Sequence, residues 1–273
     1  MIYSNSQSQH VKRKKVRIQD FFEKKSAGKK VTSITCYDAT FAKIIEATDI
    51  DFVLVGDSLG NVIQGKNSTI PVTLEEIAYH VRAVRQSLKT PLLVADMPFL
   101  TAGVSRQETI HHAGLLMQAG AEAVKIEGAT PEICDQIQFL TAHGVPVMGH
   151  IGLTPQSVHT LGGYRIQGKT EHDKQRLLQE AKRLEDCGCF AIVLELTVAE
   201  VAKEVSQTLT VPTIGIGSGN YCDGNILVLY DMLGLNQQFK PKFLKHYLNL
   251  EENIQTAINE YCKEVIDYKS ENE

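Results

Sequence analysis

The chain has 273 residues, 43% of them hydrophobic and 22% charged, with a formal net charge of −4. This composition supports a sizeable core and excludes a disordered chain or one drawn to nucleic acid by a global basic field; no apolar run is long enough to cross a bilayer. The six cysteines are scattered, and Cys187 and Cys189 flank one glycine instead of forming a CxxC pair, so reduced thiols in a cytosolic protein are expected.

The opening stretch, MIYSNSQSQHVKRKK, is basic and lacks the apolar core of a secretory signal. Residues 1–16 are therefore expected to form a flexible basic tail. Short β-rich runs then alternate with longer amphipathic segments. The predicted strands are KVTSITCY from Lys30, FVLVGD from Phe52, PLLVADMP from Pro91, AEAVKIEG from Ala121, VPVMGHIG from Val145, FAIVLEL from Phe190 and VPTIGIG from Val211, with an eighth near Ile226–Leu229. Between them fall predicted helices over Thr73–Leu88, Ser105–Ala119, Pro131–His143, Glu171–Cys187 and Ala199–Thr208. Thr73 with Glu76, and Ser105 with Glu108, have the spacing of capping boxes. Gly120, Gly144 and Gly188 stand where helices should end.

Strand–helix alternation with near-continuous apolar strands implies a parallel sheet covered by helices. Eight such units favour a (β/α)8 TIM barrel over an open doubly wound sheet. No linker interrupts the pattern, so residues 17–268 are taken as one catalytic domain that ends in a C-terminal helix over Glu251–Tyr268, with 269–273 a polar tail. In that helix Ile254, Ala257, Ile258, Tyr261 and Val265 carry helical apolar spacing suited to subunit or barrel packing.

The chemistry sits at strand ends. Asp57 follows one strand, Asp96 closes the next and Glu127 the third, while His150 and Glu195 close two later ones. In parallel α/β folds these ends share one rim, where ligands bind. Three neighbouring carboxylates repel one another, so a cation is their natural partner, and all-oxygen ligation favours Mg2+. Lys125 lies two residues before Glu127, on the same strand face, as a charge partner for the acids or a contact for an anionic substrate. His150 is a structural histidine or a substrate contact.

Two other motifs compete. GDSL at Gly56–Leu59 resembles the nucleophile block of a serine esterase family, but the chain has no D-x-x-H to supply the base. GIGSGNYCDG from Gly215 has the look of a phosphate-cradling loop, yet lacks the spacing of a dinucleotide fingerprint; its glycines also serve tight turns.

The ordered blocks TCYDATFAKIIE, VGDSLGNVIQG, TIPVTLEEIAYHVRAV, ADMPF, AVKIEG, GHIGLTPQ, GGYRIQGK and IGIGSGNYCDGNILVLYDMLG resemble the ketopantoate hydroxymethyltransferase (3-methyl-2-oxobutanoate hydroxymethyltransferase) family from about Val16 to about Tyr268. The resemblance implies a cytoplasmic (β/α)8 barrel, commonly a homodecamer, with no nucleic-acid or membrane partner. It implies transfer of a hydroxymethyl group from 5,10-methylenetetrahydrofolate to 3-methyl-2-oxobutanoate through a Mg2+-stabilised enolate, the first committed step of pantothenate synthesis. Asp57, Asp96 and Glu127 correspond to the metal site. Asp57, Ser58, Asp96 and Lys125 correspond to the 2-oxo acid contacts, with His150 beside them on the rim, and Glu195 to the proton acceptor. The chain departs from the family's usual residues at Asn61, Leu196–Val198, Ser218 and Asn225. The runner-up is a Mg2+-dependent C–C or P–C lyase of the isocitrate-lyase-like barrels, although no cysteine here sits in the matching motif.

Overall fold

Eight short apolar runs close on one another in the computed structural model, which describes residues 13–237 and 240–270. They are β1 (Val31–Thr35), β2 (Phe52–Val55), β3 (Leu92–Asp96), β4 (Ala123–Glu127), β5 (Val147–Gly152), β6 (Ala191–Glu195), β7 (Thr213–Ile216) and β8 (Gly224–Leu227). Consecutive strands pair in parallel, and the ring closes as a barrel in simple sequence order. At the seam the Val31 N–H donates to the Asp223 carbonyl at 2.9 Å, and the Ser33 hydroxyl to the Asn225 carbonyl at 2.8 Å. Every residue of β2, β3 and β5 is buried, because the barrel interior covers one strand face and helices the other.

The helices are α1 (Ile18–Ser26), α2 (Ala39–Glu46), α3 (Leu59–Val62), α4 (Leu74–Ser87), α5 (Arg106–Ala119), α6 (Pro131–Ala142), α7 (Glu171–Asp186), α8 (Ala199–Thr208), α9 (Leu229–Met232) and α10 (Leu250–Ser270); a 3-10 turn spans Pro155–Ser157. The five predicted inter-strand helices form within a residue or so of their expected ends. Thr73 and Glu76 make the full capping box on α4. At α5 only the forward half forms: the Glu108 N–H donates to Ser105 Oγ at 3.1 Å, while the Glu108 carboxylate accepts from the Ser105 hydroxyl instead of the cap backbone. Gly120 ends α5 at φ +116°, and any Cβ there would press into the Arg85 side chain.

Three features differ from the sequence reading. α1 and α2 occupy stretches where no helix was predicted. β8 begins two residues before the predicted run, since Leu229 already opens α9. The basic N-terminal segment, so far as it is described, is docked. The Arg13 guanidinium donates to the Ile50 carbonyl at 2.6 Å and to Asp51 at 3.0 Å, Lys15 pairs with Glu122 at 2.6 Å, and Val16 joins the core. Residues 1–12 and 271–273 lie outside the described residues.

Inside the barrel the core repeats with period two: Phe52 and Leu54, Leu92 and Val94, Ala191 and Val193. Phe21 from α1 plugs the N-terminal end, its ring centroid 5.6 Å from those of Phe52 and Phe190. This bottom is apolar and filled, so an opening for small molecules is left to the other end.

By contacts the chain divides into one unit that runs through Ile226 and a second from Leu227 onward. In the second, the Tyr247 N–H donates to the Met232 carbonyl at 2.9 Å and the Leu250 N–H to the Leu233 carbonyl at 3.0 Å. Ile254, Ile258, Tyr261 and Val265 on α10 are exposed. All six cysteines are free thiols. Among the described residues no helix is long and apolar enough to cross a membrane.

Candidate active site

The period-two row that packs the interior continues upward into polar residues. After Leu92 and Val94 comes Asp96; after Ala123 come Lys125 and Glu127; after Met148 comes His150; after Ala191 and Val193 comes Glu195. Register then makes neighbours of them. Asp96 pairs with Lys125 across β3–β4, and Glu127 with His150 across β4–β5. Adjacent strands lie about 4.8 Å apart, so paired inward side chains touch. Lys125 Nζ is 2.9 Å from Asp96 Oδ1 and 3.5 Å from Glu127 Oε1. His150 Nδ1 is 3.2 Å from both Lys125 Nζ and Glu127 Oε1, and its Nε2 is 3.4 Å from Glu195 Oε2. With Nδ1 protonated the ring donates to Glu127; with Nδ1 bare it accepts from Lys125. Asp96, Lys125 and His150 are buried, whereas the Glu195 side chain keeps 19% of its surface open.

Asp57 lies just beyond β2, outside this alternation, and is buried too. Its backbone N–H donates to Asp96 Oδ2 at 3.1 Å, which ties the two carboxylate-bearing rims together. Ser58 follows, and its hydroxyl bonds Tyr37 Oη at 2.7 Å and not a histidine. That is not the arrangement of an esterase nucleophile. The structure therefore brings Asp57, Asp96, Lys125, Glu127, His150 and Glu195 to one mouth, with Ser58 on its β2 side.

Three residues escaped the sequence reading. Gln156 donates from its backbone to Glu127 Oε2 at 3.0 Å and from its side-chain amide to Asp57 Oδ2 at 2.9 Å and the Met97 carbonyl at 3.0 Å. Tyr37 holds the Ser58 hydroxyl. Tyr164 lies within reach of the site's charges: burial, then Glu195, Asp57 and Glu127, push its phenol up. Its ring lines a groove of about 360 Å³ with Ser68 and His159. The only sequence signal for Gln156 and Tyr164 was their membership in GHIGLTPQ and GGYRIQGK. The loop from Gly215 shows no such role: Ser218 Oγ accepts from the Thr197 N–H at 3.0 Å and donates to the Leu194 carbonyl at 2.7 Å, so its hydroxyl braces the β6 end.

That end is shaped tightly. Leu196, directly after Glu195, adopts φ +43°, a strained value for a branched residue. Gly152 faces it at φ +95°, and an added Cβ there would overlap the Glu195 carbonyl oxygen. The backbone carrying Glu195 is thus fixed from two sides.

The charges do not balance. Burial, then Asp96 and Glu127, push the Asp57 carboxyl well above the usual carboxylate range. Burial and Glu127 push Asp96 up as well, with Lys125 opposing them. Burial alone would drive Glu127 up, but Lys125 and His150 hold it below its ordinary value. Burial would also discharge Lys125, yet Asp96, Glu127 and Asp57 outweigh it and keep the ammonium charged. For His150, burial and Lys125 favour the neutral ring, while Glu127 and Glu195 raise its pKa to about 9. Asp57 and Asp96 are thus the two carboxylates whose ionised forms lack support. Asp96 Oδ1, although near Lys125, is a buried oxygen without an aligned hydrogen bond. A hard divalent cation fits these two oxygen donors. Among the described residues no three acid, histidine or cysteine side chains form a ready metal cage, and both Glu127 oxygens already have partners.

A closed parallel barrel with charged groups ringing the C-terminal ends of its strands is the architecture of a (β/α)8-barrel enzyme. Solved barrels share that fold at low identity: a phosphoenolpyruvate phosphomutase from Streptomyces platensis (TM-score 0.64, 13% identity, 89% of this chain and 88% of that one) and a 2,3-dimethylmalate lyase (TM-score 0.56, 15% identity, 81% and 84%). The family model described as ketopantoate hydroxymethyltransferase matches residues 15–270. Curated relatives named 3-methyl-2-oxobutanoate hydroxymethyltransferase are far closer in sequence. The one from Caldicellulosiruptor bescii is 51% identical over 92% of this chain and 95% of its own length; that from Thermotoga neapolitana is 53% identical over 89% and 90%. The chain belongs to the ketopantoate hydroxymethyltransferase family and is a hydroxymethyltransferase.

Proposed function

We propose that the chain transfers a hydroxymethyl group from 5,10-methylenetetrahydrofolate to 3-methyl-2-oxobutanoate, giving 2-dehydropantoate in the first committed step of pantothenate biosynthesis. The activity named for its curated relatives supports the reading. The observation that carries it is the division of the mouth. The under-compensated Asp57–Asp96 pair and charged Lys125 stand together, and the half-open Glu195 stands opposite with His150 between.

Asp57 and Asp96 would hold a divalent cation, Mg2+ by donor hardness, and Glu127 would meet it through water. When bound, the cation supplies positive charge to the 2-oxo acid's carboxylate and ketone oxygens. Lys125 Nζ adds a fixed positive charge for the same anion, and the Ser58 hydroxyl, held by Tyr37, orients it. Glu195 Oε2 accepts the proton from substrate C3, and the electron pair left at C3 forms the bond to the donor's methylene carbon. Both C–N bonds from that carbon to the folate break, one water supplies the hydroxyl, and the protons end on the folate nitrogens, releasing tetrahydrofolate. His150 Nε2 steadies the Glu195 carboxylate at 3.4 Å. A cytoplasmic homo-oligomer, a homodecamer as in the family, completes the proposal, with the exposed apolar residues of α10 as available surface. The lyase alternative rests on fold alone, at 13–15% identity to those barrels.

The test is solvent exchange. In D2O with Mg2+ the protein should remove the C3–H signal of 3-methyl-2-oxobutanoate, and with the folate donor added it should form 2-dehydropantoate. Absence of both exchange and product would refute the proposal.

A further inference from the structure

We propose that Gln156 is a positioning residue that sets which oxygen of Asp57 is offered to the cation; the inference rests on the divalent-cation reading above. Gln156 sits in the 3-10 turn after β5, yet it reaches three other rims at once. It binds Glu127 at the end of β4, the Met97 carbonyl after β3 and Asp57 after β2.

The hydrogen bonds follow a pattern. Glu127 Oε2 takes the Gln156 backbone N–H, Asp96 Oδ2 takes the Asp57 backbone N–H, and Asp57 Oδ2 takes the Gln156 amide. Each carboxylate has one oxygen held by an N–H donor. In Asp57 the other oxygen, Oδ1, is left for a ligand, whereas Asp96 Oδ1, a buried atom without an aligned hydrogen bond, faces the Lys125 ammonium at 2.9 Å. The two Asp carboxylates are thereby fixed about their terminal torsions, and Asp57 presents one oxygen.

The donor type matters. An ammonium here would neutralise Asp57 and compete with a cation for it. A neutral amide fixes the carboxylate and leaves its full charge available. Two acceptors, Asp57 Oδ2 and the Met97 carbonyl, consume both amide hydrogens, so the amide's orientation is determined. Pro155 at the start of the turn stiffens the backbone that carries it.

Gln156→Met tests this, since it keeps the side-chain length and loses the donor. Metal-depleted wild type and variant are titrated with Mg2+ by calorimetry, and their metal-free melting temperatures are compared. Loss of an outer partner of a metal ligand typically weakens affinity about 10–100-fold, and that range is expected here. KM for the 2-oxo acid should rise in parallel, while deuterium exchange at saturating Mg2+ and substrate recovers. A merely structural Gln156 would lower the melting temperature and leave the Mg2+ Kd unchanged; that result overturns the proposal. If wild type itself binds no Mg2+, this inference and the cation reading fall together; if wild type binds and the variant matches it, this inference alone falls. Should Gln156→Met not fold, Gln156→Asn serves under the same criteria, because its amide is one methylene too short to reach Asp57 and Met97 together.

Discussion

Glu195→Gln should all but abolish exchange of the substrate's C3 proton with solvent deuterium while 2-oxo acid binding persists. Gln has the size of Glu and can still meet His150, whose Nε2 lies 3.4 Å from Glu195 Oε2. What it loses is the ability to take a proton. Removing a positioned general base typically lowers the rate by about 10²–10⁴-fold, and the upper part of that range is expected because no second carboxylate shares the position. Asp57, Asp96 and Glu127 are tied to Lys125, Gln156 or one another. The strained Leu196 and the close approach of Gly152 hold the backbone here, so the substitution should not shift it. Exchange by the variant within about tenfold of wild type would move the base elsewhere.

Lys125→Met should be the most destabilising single change at the site. Among the described residues the ammonium is the one buried positive charge within 3.5 Å of both Asp96 and Glu127. Methionine fills the space and leaves the acids facing one another. Breaking a buried ion pair from one side typically costs about 3–5 kcal/mol, and a fall of roughly 10 °C in melting temperature is expected for the metal-free variant. The loss should depend on pH. Asp57 and Asp96 already titrate above their unfolded range, so their contribution to stability is complete below that range and is lost as pH rises through the raised values. His150, raised to about 9, acts in the same direction from its ordinary range up to about 9. Without Lys125 the acids rise further, so the variant should be closest to wild type in acid and fall further below it as pH rises through the raised carboxylate values. A deficit independent of pH would mean that Lys125 acts by packing.

Most of the barrel was legible in the residues because local signals and tertiary demand agreed. Thr73 with Glu76 marks a helix start wherever the helix packs, and FVLV is buried on both faces in any covered parallel sheet. The strand-end site was legible for a related reason. Period two alone points Asp96, Lys125, Glu127 and Glu195 inward once their strands are placed. α2 carried its own signal, Asp38 as a cap followed by buried Ala42 and Ile45, but at eight residues it is short enough to pass for a loop. In α1, the lysines and acids surround a single buried Phe21, so it reads as an extension of the basic tail. Gln156 was beyond reach of any local pattern. Its partner Asp57 is 99 residues away, and only the closed ring folds the loop after β5 back over β2 and β3.

Thermal unfolding of wild type and Asp57→Asn, with and without Mg2+ at pH 7.5, bears most directly on the claim that two under-compensated carboxylates hold a cation. A ligand at about one hundred times its Kd adds about 2.7 kcal/mol, so wild type should gain about 5 °C or more with Mg2+. Asp57→Asn, relieved of a buried charge that its neighbours oppose, should melt above wild type without metal and gain nothing when Mg2+ is added. A wild type indifferent to Mg2+, together with an Asp57→Asn variant that melts below it in metal-free buffer, would contradict the account.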